Sequence, residues 1–363
     1  MRLLSPLLKH LVYPGLSKAG YLRRAARTGP VVLTYHGILP AGYRIVDPDL
    51  DGSLVQASVF RRQLRFLKGQ YNVISPEEFL LWCETRHELP PRSVLLTCDD
   101  GLQNSLCDML PILQEAGLTC LFFVTGASLA ETPTMLWYEE LFLMFLAGPE
   151  TFTLELIETG PHQDTSRRGK RALWWELVRK LSRYEPNRRK ALMEGIKMQL
   201  GLGEHWDAEY REDPAGRRRF LVLNQAELQQ LVAAGMCIGA HTKSHPMLSQ
   251  SSPDVAWNEI SESKHLLEQA LEQRIWALAY PFGDALSVTS REIQMAERAG
   301  FQCALLNVGG GFETQTPKFA LPRTHITAGM NLAEFEAHIS GFHRSLRELF
   351  RPVGPTAGVG ANV

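Results

Sequence analysis

Asp99 and Asp100 stand side by side after the apolar run "SVLLTC", and Gly101 follows them. Neighbouring carboxylates repel each other, and a strand that merely turns into loop needs neither. Two histidines, His241 and His245, follow a second apolar run, "MCIGA", at a spacing common in metal sites. His36 follows a third run in "VVLTYHGI", and Tyr280 opens "YPFGD" after a fourth, "WALAY". Neutral imidazoles suit zinc, and two of them need a third ligand that leaves a position open for water. A carboxylate from a neighbouring strand end completes such a site. The paired aspartates then have a purpose, because consecutive residues at a strand end point in different directions. One carboxylate holds the cation while the other takes a proton, and the cation offsets their repulsion and acidifies its water. That is the apparatus of metal-assisted hydrolysis. Gly239 before the histidines and Pro246 after them predict that a loop carries them, not a long helix.

Four polar strand ends in one chain call for an architecture that gathers strand ends, as parallel α/β folds do. Residues 31–35, 93–97, 120–124, 236–240, 276–280 and 303–308 read as buried strands. Amphipathic stretches such as "SVFRRQLRFLKGQ", "NEISESKHLLEQALEQ" and "REIQMAERAG" alternate with them as helices. Ser75, Pro76 and Glu78 form a helix-start signature in "SPEEFLLWC". The alternation predicts a mainly parallel sheet, closed or open. It breaks between about residue 127 and residue 222, where "LWYEELFLMFLA", "RALWWELVRKL" and "RRKALMEGIKMQL" are helical. A polar segment with Pro214 and Gly216 follows, and Lys and Arg, including Arg217, Arg218 and Arg219, exceed Asp and Glu there. The simpler expectation is a helical insertion whose basic side faces water; the sharper one is a lid or docking surface for an anionic substrate, such as a phosphate-linked one.

A chain of 363 residues suffices for one large barrel or two average domains. A net charge of −1 gives no global attraction for nucleic acid, so no nucleic-acid partner is expected. Six cysteines lie scattered in apolar segments with no CxxC pair, as buried free thiols of a reducing compartment would. The N-terminal segment is interrupted by Lys9, His10 and Pro14 and lacks the apolar core of a signal peptide. The cytoplasm is therefore the expected location. Peripheral membrane contact through a basic, amphipathic N-terminal helix or the basic insertion stays open.

"TCDDG", "HTKSH" and "YPFG", with "LFFVTG", resemble the motifs of the polysaccharide deacetylases with a NodB homology domain, carbohydrate esterase family 4. The likeness spans roughly residues 30–126 and 222–326. It implies an α/β fold, a distorted (β/α)7-type barrel, with the helical insertion at 127–221 inside a 30–345 barrel. Residues 1–29 would be a helical extension and 346–363 a flexible tail. The implied activity is hydrolysis of an N-acetyl group from an amino sugar of a glycan or glycan precursor. The resemblance assigns Asp99 as general base and Asp100, His241 and His245 as ligands of a divalent metal: zinc by preference, with cobalt or nickel also fitting. Tyr280 would give a backbone N–H to an oxyanion hole, and Thr242 would support the metal shell or touch substrate. The family's third motif commonly carries an arginine where this chain has Ala279, and Arg323 in "LPRTHI" is the candidate replacement. The usual C-terminal catalytic histidine has no clear counterpart. A subgroup resembling bacterial exopolysaccharide de-N-acetylases places it early, in a "YHG" segment, which makes His36 the candidate acid and His325 its rival. Two other functions remain open: a deacylase of a lipid- or nucleotide-linked amino sugar, and a catalytically silent sugar-binding barrel.

Overall fold

Among the residues described by this computed structural model (5–25, 29–48, 50–130, 132–150, 152, 154 and 166–349), eight strands form one parallel sheet. They are β1 (Val31–Tyr35), β2 (Asn72–Ile74), β3 (Ser93–Cys98), β4 (Leu121–Val124), β5 (Cys237–Ala240), β6 (Ala277–Ala279), β7 (Cys303–Leu306) and β8 (Leu321–His325). Seven of them close a barrel: β1 pairs with both β3 and β8, and β3 through β8 follow one another in order. β2 lies outside the ring and pairs with Ser93, Val94 and Leu95 of β3, while β4 takes up Thr97 and Cys98.

Side chains alternate between two buried layers, which is why the strands read as unbroken apolar runs. Val32, Leu95, Phe123, Ala277, Ala279 and Leu305 fill the inside. Leu33, Leu96, Phe122, Val124, Ile238 and Leu278 pack outward under helices such as Ala57–Gln70 and Pro253–Leu271. The Ser75 signature is a true capping box, with Ser75 accepting from the Glu78 backbone and the Glu78 side chain accepting from Ser75 N–H. β2 and β8 escape a reading by pattern. The first has three residues, and the second contains Pro322, which argues against a central strand.

The insertion between β4 and β5 contains helices Trp137–Ala147, Arg167–Leu181, Pro186–Gln199, Ala208–Arg211 and Pro214–Phe220 around a hydrophobic cluster of its own. The segment around Pro214 is a helix, started by Asp213 accepting the Gly216 N–H at 2.7 Å. One expectation needs correction: the basic residues of the insertion do not all face water, since Arg219 is 0% and Arg189 2% exposed, each against carboxylates. Carboxylates of the barrel and of the insertion itself consume those two charges.

Helices between Ser5 and Ala25 pack on the helix Leu332–Ile339, with Tyr13 buried and its hydroxyl 2.7 Å from His343 Nδ1. The expected tail starts inside a helix, Phe342–Leu349, and residues 350–363 lie outside the described residues. No cysteine forms a disulfide; Cys83, Cys98, Cys120 and Cys303 are buried, whereas Cys237 is half-buried and Cys107 exposed, contrary to expectation. Among the described residues no helix is long and apolar enough to cross a membrane.

Candidate active site

The barrel brings the polar strand ends into one cavity of about 230 Å³. Register does the first part of this. Tyr35 pairs with Cys98, so His36 after β1 and Asp99 after β3 leave the sheet at the same level. Asp99 N–H donates to Tyr35 O at 2.9 Å, which extends the ladder one step into the site. Asp100 then turns away with φ 75°, and Gly101 follows at φ 68°. A β-carbon on Gly101 would stand 2.9 Å from Val124, so the exit from β3 needs glycine twice over.

Asp100 Oδ1 lies 3.6 Å from His241 Nε2 and 3.5 Å from His245 Nε2. One ligand atom from each of the three residues falls within 4.8 Å of the others, and all three residues are buried. Asp100 Oδ1 has no hydrogen-bond partner. A buried, unpartnered carboxylate oxygen facing two imidazoles is costly unless a cation satisfies it, so the donor set fits a divalent metal. His241 Nδ1 sits 2.7 Å from Ala279 O, the second-shell contact that aims Nε2 at such an ion. Burial, against the pull of Asp99, pushes the His241 imidazole down to about 4, so it is neutral as a ligand must be. For Asp100 burial acts upward, but the close imidazoles of His245 and His36 outweigh it and hold the carboxyl well below its usual range.

The loop from His241 to His245 is held by its surroundings. Thr242 and His245 both adopt left-handed backbone, φ 63° and 55°. Thr242 Oγ1 accepts the His245 N–H at 3.0 Å, so its place is within the loop. Ser244 N–H donates to Glu259 at 2.7 Å, and the Ser244 hydroxyl bonds both Glu259 and Arg189. Trp137 Nε1–H reaches His245 O at 3.1 Å, and Arg189 lies over the Trp137 ring at 4.7 Å. Two insertion residues thus brace the histidine loop. Strained non-glycine backbone persists where its surroundings over-determine it, and Asp100, Thr242, His245 and Phe282 (φ 61°) all stand here.

Arg323 crosses the barrel interior from β8 and meets Asp99 with two parallel bonds, Nη1 to Oδ1 at 2.6 Å and Nη2 to Oδ2 at 2.7 Å. Burial acts to raise the Asp99 carboxyl, yet Arg323 first and His241 second keep it below its ordinary value. Ala279 lies in the inner layer, beside the cavity that Arg323 enters. His36 and His325 face each other with ring centroids 4.7 Å apart. Burial, with His36 adding to it, pushes His325 down to about 3.

One expectation fails. The Tyr280 backbone N–H donates to Leu305 O at 3.2 Å, continuing the β6–β7 ladder, and so is not free for an oxyanion. The Tyr280 hydroxyl donates to Phe319 O at 3.0 Å. Pattern reading also missed the residues that wall the cavity: Tyr138, Glu139, Trp174 and Trp175 from the insertion, Phe282, and Asn307. In sequence these aromatics carry the helical period of a core, and nothing local distinguishes a ring that lines a cavity from one that fills a core.

Residues 202–304 match the family model described as polysaccharide deacetylase. A stretch of 117 residues is 25% identical to YxkH of Bacillus subtilis (strain 168), whose name places it among polysaccharide deacetylases. It covers 32% of this chain and 41% of that protein, so the match spans less than half of the relative. The fold is similar to that of the Streptococcus pyogenes deacetylase PplD, solved with acetate, at TM-score 0.53 and 18% identity over 86% of this chain and 98% of that one. IcaB from Ammonifex degensii gives TM-score 0.53 at 15% identity over 87% and 98%.

Proposed function

We propose, on the match of residues 202–304 to the polysaccharide deacetylase family model, that the chain is a metal-dependent hydrolase removing an N-acetyl group from an amino sugar of a glycan. The observation that carries this reading is the unpartnered Asp100 Oδ1 facing His241 and His245, with the Arg323–Asp99 pair beside it. Solved relatives that share the fold include one in complex with acetate, the acid such a reaction would release.

A divalent ion held by Asp100, His241 and His245, zinc by the ligand set, would supply Lewis acidity toward the amide carbonyl and a nucleophile at neutral pH. Asp99 is the proton acceptor: its carboxylate stays ionised beside Arg323, and the two-pronged bond fixes where its oxygens point. His36, leaving β1 at the level of Asp99, is the donor that protonates the leaving amine as the C–N bond breaks; it lines the cavity with Nδ1 unpartnered, as its rival His325 does with Nε2. The aromatic wall keeps bulk water from the reacting amide. Arg189 and Arg219 are consumed in internal contacts, so neither is available to an anionic, phosphate-linked substrate.

The test is acetate release from N-acetylglucosamine oligomers by purified protein, before and after chelation and after return of zinc. Release that stops on chelation and returns with zinc supports the proposal. A zinc-loaded protein that binds the oligomers but releases no acetate supports the silent sugar-binding barrel instead.

A further inference from the structure

The insertion joins the rim of the cavity at one strand end after another. At the β1 loop, Arg219 is bonded to Asp51 at 2.6 Å and to Glu139 at 2.9 Å. Past β3, Gln103 N–H donates to Leu221 O at 2.8 Å and Leu102 bridges to Val222. At the β5 loop Trp137 and Arg189 hold His245 and Ser244. At the β6 loop the Trp175 ring stands 5.8 Å from Phe282. Among the described residues this wall runs from the β1 loop to the β6 loop, past β3, β4 and β5. The remaining rim, over β7 and β8, carries Asn307, whose Oδ1 is buried without a partner.

A glycan bound along its length needs a groove open at both ends. Among the described residues the insertion leaves only the rim over β7 and β8 unwalled, and at about 230 Å³ the cavity falls below the ~300–1,000 Å³ of clefts that enclose drug-sized ligands. We propose that the insertion turns the site into a dead-end socket for the terminal amino-sugar unit of a glycan, with the Trp175–Phe282 pair against the sugar's apolar face and Asn307 bonding its polar edge. The proposal rests on the deacetylase reading above. Phe282 holds left-handed backbone while its ring stands 5.0 Å from His245, so the strained residue places an aromatic surface between the metal ligands and the rim.

The test uses the zinc-loaded full chain and N-acetylglucosamine oligomers of two to six units, with tandem mass spectrometry to locate the lost acetyl and tryptophan fluorescence to measure binding. The expected result is one acetyl lost from a terminal unit at every length, with kcat/KM and affinity nearly flat from disaccharide to hexamer. Trp175→Ala is expected to raise KM about tenfold with zinc content unchanged. Acetyl loss at internal units, or binding that tightens tenfold with length, overturns the socket and leaves the deacetylase reading intact. Length-independent binding with no acetate from any oligomer supports the socket and overturns the deacetylase reading. Absence of binding at every length overturns the socket.

Discussion

Arg323 on β8 and Asp99 after β3 are joined through the barrel interior by two bonds of 2.6 and 2.7 Å, with both side chains almost fully buried. The guanidinium comes from a strand distant in sequence, yet it meets the carboxylate next to the proposed metal ligand. Where the resemblance leads one to look for an arginine, the chain has Ala279, whose carbonyl faces His241.

The pair predicts that Arg323→Met lowers kcat about 10–100-fold while zinc content is unchanged, because orienting partners of this kind carry effects of that size. Steady-state kinetics beside elemental analysis checks it. An unaltered kcat would show that Asp99 needs no partner to hold its geometry.

Both facing histidines line the cavity with an unpartnered buried nitrogen, His36 Nδ1 and His325 Nε2, and burial keeps His325 neutral at pH 7. His36→Ala is expected to lower kcat by roughly 10²–10⁴ with metal retained, and His325→Ala to lower it far less. The reverse order, measured on the same oligomer, would move the acid role to His325.

The brace on the histidine loop predicts a change in zinc affinity. Arg189→Met removes the bond to Ser244 and the 3.9 Å contact with Glu259, and is expected to weaken zinc about 10–100-fold in chelator competition. Equal affinity in a variant that melts like the parent would show that the loop holds itself.

Arg219 stands between Asp51 and Glu139 with no exposed surface. Arg219→Ala leaves two buried carboxylates facing each other and is expected to cost ~3–5 kcal/mol in urea unfolding. A loss below about 1 kcal/mol would mean that the network adds little to the attachment of the insertion.

Much of this site is legible from residue types at strand ends. Asp99, Asp100, His36, His241 and His245 each follow an apolar run, and barrel closure makes such positions neighbours. What escapes has physical causes. β8 hides behind Pro322, so the strand that aligns Arg323 with Val32 carries no periodic signal. The Tyr280 N–H reads as a free donor until the β6–β7 ladder shows it bonded to Leu305. Charge counting places arginines at the surface of the insertion, but the partners of Arg189 and Arg219 lie 70 and 168 residues away by number, at Glu259 and Asp51. Left-handed backbone at Asp100, Thr242, His245 and Phe282 depends on tertiary contacts and leaves no local trace.

The division of labour between the adjacent aspartates and the histidines is the centre of the account. Its most direct test measures bound zinc and acetate release together in Asp99→Asn and His241→Ala. Asp99→Asn should keep its zinc and lose turnover, while His241→Ala should lose both. Full acetate release by Asp99→Asn would contradict the account.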